Sequence, residues 1–129
     1  MGTRTITSRK QSPDKITHPI PSDAGHGTFV YVIDDGIKLN HPEFHGRKIQ
    51  HLRAYPNKKL QAEHGTAVAR LICGHTLGIA RGTTLIDVGI STEAGPGSFS
   101  VHDIKKAIDL VIKDVAKKKR QGIAIVNMS

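Results

Sequence analysis

Cysteine is almost absent. Cys73 is the single thiol in 129 residues, which excludes an internal disulfide and a multi-cysteine zinc site. Tryptophan is missing and aromatic residues make up 4% of the chain. The core must therefore come from Ile, Val, Leu and Ala, and no row of aromatic rings is available to stack on single-stranded nucleic acid. Long apolar runs are also missing; none approaches the ~20 residues of a membrane-spanning helix. Residues 1–11 are polar and basic without an apolar centre, so no secretory leader is visible. The expectation is an intracellular chain or one whose true N-terminus lies upstream, and localisation stays open. Met1-Gly2 opens like a myristoylation signal, but Ile6 stands where that signal needs Ser or Thr.

Acid is in short supply. The chain carries 19 Lys and Arg against 11 Asp and Glu, a formal charge of +8. Half of that excess lies between Val101 and Gln121, which holds seven bases and three acids. A solvated helix face is the plain reading of such a segment. The run Lys117-Lys118-Lys119-Arg120 also has the make-up of a nucleic-acid or nuclear-import patch. No aromatic residue is interleaved there, and no partnership with nucleic acid is expected.

The chain is organised around Phe29–Ile33, an unbroken apolar run rich in β-branched and aromatic residues, which ends at Asp34, Asp35 and Gly36. That composition suits a strand covered on both faces. A carboxylate at the carboxyl end of a buried parallel strand is where open α/β sheets place function. Before it, residues 1–27 have no periodicity and are broken by Pro13, Pro19, Pro21, Gly25 and Gly27. They read as a surface arm, with a short turn near Pro13–Lys15, and 28–129 as the domain proper.

After the first strand, a short strand is expected within Lys48–Ala54 and an exposed loop over residues 55–63. The small apolar run Ala67, Val68, Ala69, Leu71, Ile72, Cys73 follows His64 and stops at Gly74, as a buried helix would. Thr84–Ile90 reads as a strand and Ser91–Gly97 as a loop. Ser100–Gln121 is the clearest helix: Ile104, Ala107, Ile108, Val111, Ile112, Val115 and Ala116 recur at helical spacing. Ser100 and Asp103 make a capping box, and Gly122 a C-terminal stop. Ile123–Met128 closes the chain as a buried-type strand. Strands alternating with helices predict an α/β fold of three layers, a mostly parallel sheet flanked by helices.

Asp34 and His64 carry the chemistry. A carboxylate that holds an imidazole in one tautomer and stabilises its cation makes that imidazole a general base for a hydroxyl nucleophile. A histidine at a helix N-terminus meets the positive end of the dipole, which disfavours imidazolium; a neighbouring carboxylate opposes this. Gly65 removes side-chain bulk beside the reacting centre. His41-Pro42-Glu43-Phe44-His45 is rich in ligand types, but Pro42 breaks a helix and the spacing is not that of a zinc-protease motif. No metal site is expected.

Val30-Tyr31-Val32-Ile33-Asp34-Asp35-Gly36-Ile37, with His41-Pro42-Glu43-Phe44 after it, resembles the catalytic-aspartate segment of the subtilisin-like serine proteases, the subtilases. His64-Gly65-Thr66-Ala67-Val68-Ala69 resembles their catalytic-histidine helix. Gly78-Ile79-Ala80 with the strand through Ile90, then Gly95-Pro96-Gly97, then Val126-Asn127-Met128-Ser129, resemble later pieces of the same domain in the same order. The resemblance implies a subtilisin-like fold, incomplete in this chain, and a serine endopeptidase acting on polypeptide. It carries Asp34 over as the triad carboxylate and His64 as the general base. It makes Gly95, Pro96, Gly97 and Ser129 substrate-binding backbone, against which a peptide adds as a strand. It implies no organic cofactor; family members often bind calcium, but no carboxylate cluster here suits it.

Three departures accompany the resemblance. The family's nucleophilic Ser and oxyanion Asn belong to later segments that nothing in these residues matches. Cys73 is no substitute, because nine helical steps put it on the face opposite His64. The expectation is the N-terminal part of a catalytic domain, awaiting its C-terminal half and inactive alone. Arg70 stands where a small Gly is usual, and Asp35 where Ser or Thr is commoner, although Asp-Asp-Gly occurs in the kexin-like branch. A non-catalytic relative that binds peptides or a protein partner is the alternative. A doubly wound nucleotide-binding module is disfavoured, since Asp34 and Asp35 stand where a phosphate needs N–H donors.

Overall fold

The computed structural model describes residues 19–53, 60–90 and 99–129. At its centre lies strand β1, Phe29–Asp34, one residue longer than its apolar run. It pairs in parallel with β3, Thr84–Gly89, on one side and with β4, Ala124–Met128, on the other. β2, only Ile49–His51, pairs in parallel with β3, so the sheet order is β2-β3-β1-β4. Every pairing among the described residues is parallel, and the strands are linked by helices α1, Glu63–Cys73, and α2, Val101–Lys117.

Alternation along the central strands divides the core in two. Val30, Val32 and Leu85 face α1 and pack with Ile37, Phe44, Ala69 and Cys73. Tyr31, Ile33, Ile86 and Val88 face the other way and pack with Ile90, Ala107 and Val111 beneath α2. The layers are thus helix, sheet, helix, as an α/β fold requires. Burial pushes the Cys73 thiol up to about 11, leaving it protonated and inert at neutral pH.

Several elements depart from the periodicity. On α2 the buried stripe is narrower than expected: Ile108 and Ile112 are exposed, at 38% and 61%, because the sheet beneath touches only the Ala107–Val111 side. Ser100 caps α2 as anticipated, its Oγ accepting from the Asp103 N–H at 3.1 Å. The helix, however, stops before Gly122. Lys119 takes a left-handed conformation, φ 54°, and this turns Arg120 back under the sheet.

There Arg120 donates to Tyr31 Oη at 2.9 Å and to Asp114 Oδ2 at 3.2 Å, and its guanidinium lies 3.8 Å from the centre of the Phe29 ring. Arg120 is therefore a buried structural cation and not part of a solvated basic patch. β4 is not the buried strand its composition suggests: Ile125, Val126 and Met128 are each at least half exposed. Among the described residues no strand pairs with its outer edge. Residues 22–27 form turns held against the start of β3, with the Gly82 N–H donating to the Ala24 carbonyl at 2.8 Å. The turn expected near Pro13–Lys15 lies outside the described residues.

Candidate active site

β1 delivers Asp34 to the carboxyl end of the sheet, 1% exposed. The next three residues turn away: Gly36 has φ +107°, and a side chain there would meet Leu60 at 2.7 Å. This turn brings α1 back across the strand end. The Ala62 N–H donates to the Asp35 carbonyl at 3.1 Å, and the Lys38 N–H to Thr66 Oγ1 at 2.9 Å. Gly65 makes the approach possible. A Cβ on it would sit 2.2 Å from the Gly36 carbonyl oxygen, so the bulk that this glycine removes is bulk against backbone. One backbone bond, one bond to the Thr66 hydroxyl and the close approach at Gly65 therefore fix α1 on β1 before Asp34 and His64 are considered.

The result is a close pair. His64 Nδ1 lies 2.8 Å from Asp34 Oδ2 and 3.0 Å from Oδ1. An ionised carboxylate only accepts, so Nδ1 carries the proton and Nε2 is the free basic nitrogen. Asp34 Oδ1 also accepts from the Asp35 N–H at 2.7 Å, which fixes the carboxylate plane. The hydrogen bond and charge of Asp34 raise the His64 pKa above its ordinary value; partial burial opposes this, and the charge of Asp35 adds to it. Exposure divides the labour: the Asp34 side chain is 2% accessible and that of His64 61%. A buried anion thus holds an imidazole whose far edge faces solvent, an arrangement suited to a general base.

Asp35 has a part that its position in the motif does not advertise. Its Oδ2 accepts from the N–H groups of Glu63 and His64, at 3.2 and 3.1 Å, and Oδ1 from Gly65 at 2.7 Å. Three donors converging from 28 to 30 residues away cannot be seen in spacing. The one available signal is an acid where a neutral hydroxyl is commoner.

The remaining candidates fall in different places. Ser129 follows β4, and the Ile33–Met128 pairing sets it beside the Asp34 end of the sheet. It is exposed, with Oγ donating to Asn127 Oδ1 at 3.1 Å. Gly95, Pro96 and Gly97 lie outside the described residues. Cys73 is buried on the α1 face turned to the core, away from His64. Arg70 is half-buried and projects toward Glu43, whose pKa is lowered chiefly by the Thr76 backbone N–H, with Arg70 adding its charge. It leaves the packing of α1 on the sheet intact.

Among the described residues no group of three or more His, Cys, Asp or Glu is placed to hold a metal ion. The His41–His45 stretch instead forms a short 3-10 turn, Pro42–Phe44. Glu43 there ties the turn to the end of α1 by accepting from the Thr76 N–H and Oγ1, at 3.0 and 2.9 Å.

A second buried acid lies deeper on the same face of the sheet. Asp87, fully buried on β3, accepts from His51 Nδ1 at 2.8 Å and Arg53 Nη2 at 3.3 Å. Burial raises its pKa, and the charges of His51 and Arg53 oppose that. This pair latches the edge strand β2 to its neighbour and was not anticipated from the sequence.

The subtilase family profile (Peptidase_S8) matches residues 25–129. A subtilisin-like protease 2 of Trichophyton rubrum is 36% identical over 108 residues, 82% of this chain and 25% of that protein. The subtilisin-like serine protease AsES of Sarocladium strictum is 36% identical over 129 residues, 99% of this chain and 32% of its own length. Among solved structures, a cold-adapted subtilisin-like serine proteinase superposes with a TM-score of 0.61 at 27% identity, over 81% of this chain and 37% of that one. The chain thus spans a quarter to a third of the length of these curated relatives.

Proposed function

Because the chain belongs to the subtilase family, we propose that Asp34 and His64 are the carboxylate and general base of a serine-endopeptidase relay acting on polypeptide. The carrying observation is the Nδ1–Oδ2 contact of 2.8 Å between a buried carboxylate and an accessible imidazole. In this reading Nε2 takes the proton of a serine hydroxyl as that oxygen attacks the scissile carbonyl. Asp34 stabilises the imidazolium so formed, and the proton is then passed to the leaving amine. Ser129 and the Gly95–Gly97 stretch serve as backbone edges for the substrate.

The nucleophile belongs to a segment that these 129 residues do not match. A relay without an attacking oxygen has no bond-forming atom, so the isolated chain is inactive in this reading. A fluorophosphonate probe tests it. The isolated chain is expected to stay unlabelled. A coding product that runs on through a Gly-Thr-Ser segment is expected to be labelled, and His64→Ala to abolish that labelling. Stoichiometric labelling of the isolated chain, or labelling that survives His64→Ala, overturns the reading.

A further inference from the structure

Helix α1 starts without a cap of its own. Its N-cap position is Ala62, in a left-handed conformation with φ 59° and no side-chain cap bond. The first amides of a helix need acceptors, and here they find one that is distant in sequence. The Asp35 carboxylate takes the N–H groups of Glu63, His64 and Gly65 at 3.2, 3.1 and 2.7 Å. Only a carboxylate offers enough lone pairs for three donors while also supplying a negative charge. Consecutive residues of β1 and its turn thus hold one histidine twice: Asp34 binds its ring and Asp35 its backbone.

We infer that Asp35 is a positioning residue for His64, its carboxylate locking the start of α1 so that the imidazole meets Asp34 and its charge offsetting the helix dipole when the imidazole is protonated. The dipole places about half a positive charge at this terminus, within a turn of the ring. Among the described residues, the other charged groups facing His64 are Asp34 from β1 and Glu63 from α1 itself, the latter ion-paired to Lys38. That pair neutralises itself, which leaves Asp35 as the acid facing the helix terminus. The relevance of this inference to catalysis rests on the reading of His64 as a general base; the geometry and its test do not.

The experiment is an NMR titration of the His64 ring, with amide exchange at residues 63–65, in the unmodified chain and in Asp35→Asn and Asp35→Ser. Both variants keep an acceptor and remove the charge. The His64 midpoint is expected to move down in each. Exchange of the three amides is expected to quicken roughly tenfold, the loss typical of a helix cap. A folded variant with an unmoved His64 midpoint overturns the inference, including when only exchange quickens, because that is the mark of a cap and nothing more. In case neither variant folds, the unmodified chain decides. As pH falls, the amide protons of Glu63, His64 and Gly65 and the ring signals of His64 must each show a shift that follows the Asp35 carboxyl carbon, and a ring that does not respond to that step overturns the inference. No peptide cleavage enters these readouts, so failure here is distinct from failure of the labelling experiment.

Discussion

Tyr31 Oη donates a 2.7 Å hydrogen bond to Asp114 Oδ2, joining the middle of β1 to the last turn of α2 across 83 residues. Arg120 binds both, and Lys118 Nζ reaches the other oxygen of Asp114 at 2.8 Å. Burial alone pushes the Asp114 carboxyl up, but hydrogen bonds from Lys118 and Tyr31 and the charges of Lys118 and Arg120 outweigh it, so its pKa lies below the ordinary carboxylate value. Burial also raises the Tyr31 pKa, and its bond to Asp114 raises it further. Tyr31→Phe removes two bonds, one donated to the charged Asp114 and one accepted from Arg120, and should cost about 2–3 kcal/mol. Asp114→Ala strands a buried guanidinium and should cost about 4 kcal/mol. A depressed carboxylate stabilises the fold above its unfolded pKa and loses that contribution as pH falls through the folded value. The gap between the parent chain and Asp114→Asn should therefore close on acidification below pH 4. Denaturant melts at pH 7 and pH 3 check both claims, and a gap that widens in acid would refute the assignment.

This network marks the boundary of what the sequence alone discloses. The apolar run of β1, the helical spacing of α2 and the small-residue helix after His64 are local signals, and they became elements within a few residues of their expected ends. Arg120 looked like the last member of a basic run because its partners are distant: Tyr31 lies 89 residues before it. Ile108 and Ile112 fit the helical period but not the sheet, since periodicity says which residues share a face and not how wide a surface covers it. Asp34 and His64 were legible as a candidate pair because a strand end and a helix start are both local features, and the structure brings the two side chains together. The Asp35 cap and the Asp87–His51 latch were not, since each depends on where another element comes to rest.

Gly65 separates propensity from packing. Replacing a helical Gly by Ala normally gains up to about 1 kcal/mol. Here the added Cβ would lie 2.2 Å from the Gly36 carbonyl oxygen and 3.0 Å from Asp35 Oδ1. Overpacking against backbone costs about 1–3 kcal/mol, and the contact displaced is the one that sets His64 on Asp34. Gly65→Ala should therefore lower the midpoint of thermal unfolding by roughly 4 °C or more, and move the His64 titration toward its ordinary value. A variant that melts higher than the parent would show that α1 has room to shift.

The Asp34–His64 pair makes a pH-dependent contribution with a definite sign. The bond to Asp34 raises the folded-state pKa of His64. A raised histidine stabilises the fold fully below its unfolded value, about 6.5, and that support fades as pH rises through the higher folded value. Asp34→Asn should lower the His64 midpoint. Its melting deficit should be larger at pH 5.5 than at pH 8.5. Equal deficits at the two pH values would mean that the imidazolium does not draw on Asp34.

β4 predicts how the chain behaves in concentrated solution. Its residues alternate between the two faces of the sheet, yet Ile125 on one face and Val126 and Met128 on the other are 59%, 50% and 57% exposed. Ile112 and Val101 on α2 add further exposed apolar surface, at 61% and 83%. An apolar strand that offers an unpaired backbone edge is a template for another strand. The described chain should therefore self-associate at micromolar concentrations. Ile125→Lys should shift the association midpoint upward by about tenfold, since a lysine on an edge strand opposes pairing. Because Ile125 is mostly exposed, the same substitution should change unfolding stability by less than about 0.5 kcal/mol. Sedimentation across a hundredfold concentration range reads the association directly. A monomeric parent chain throughout that range would show that these faces do not drive pairing, and a large loss of stability in Ile125→Lys would show that Ile125 belongs to the core.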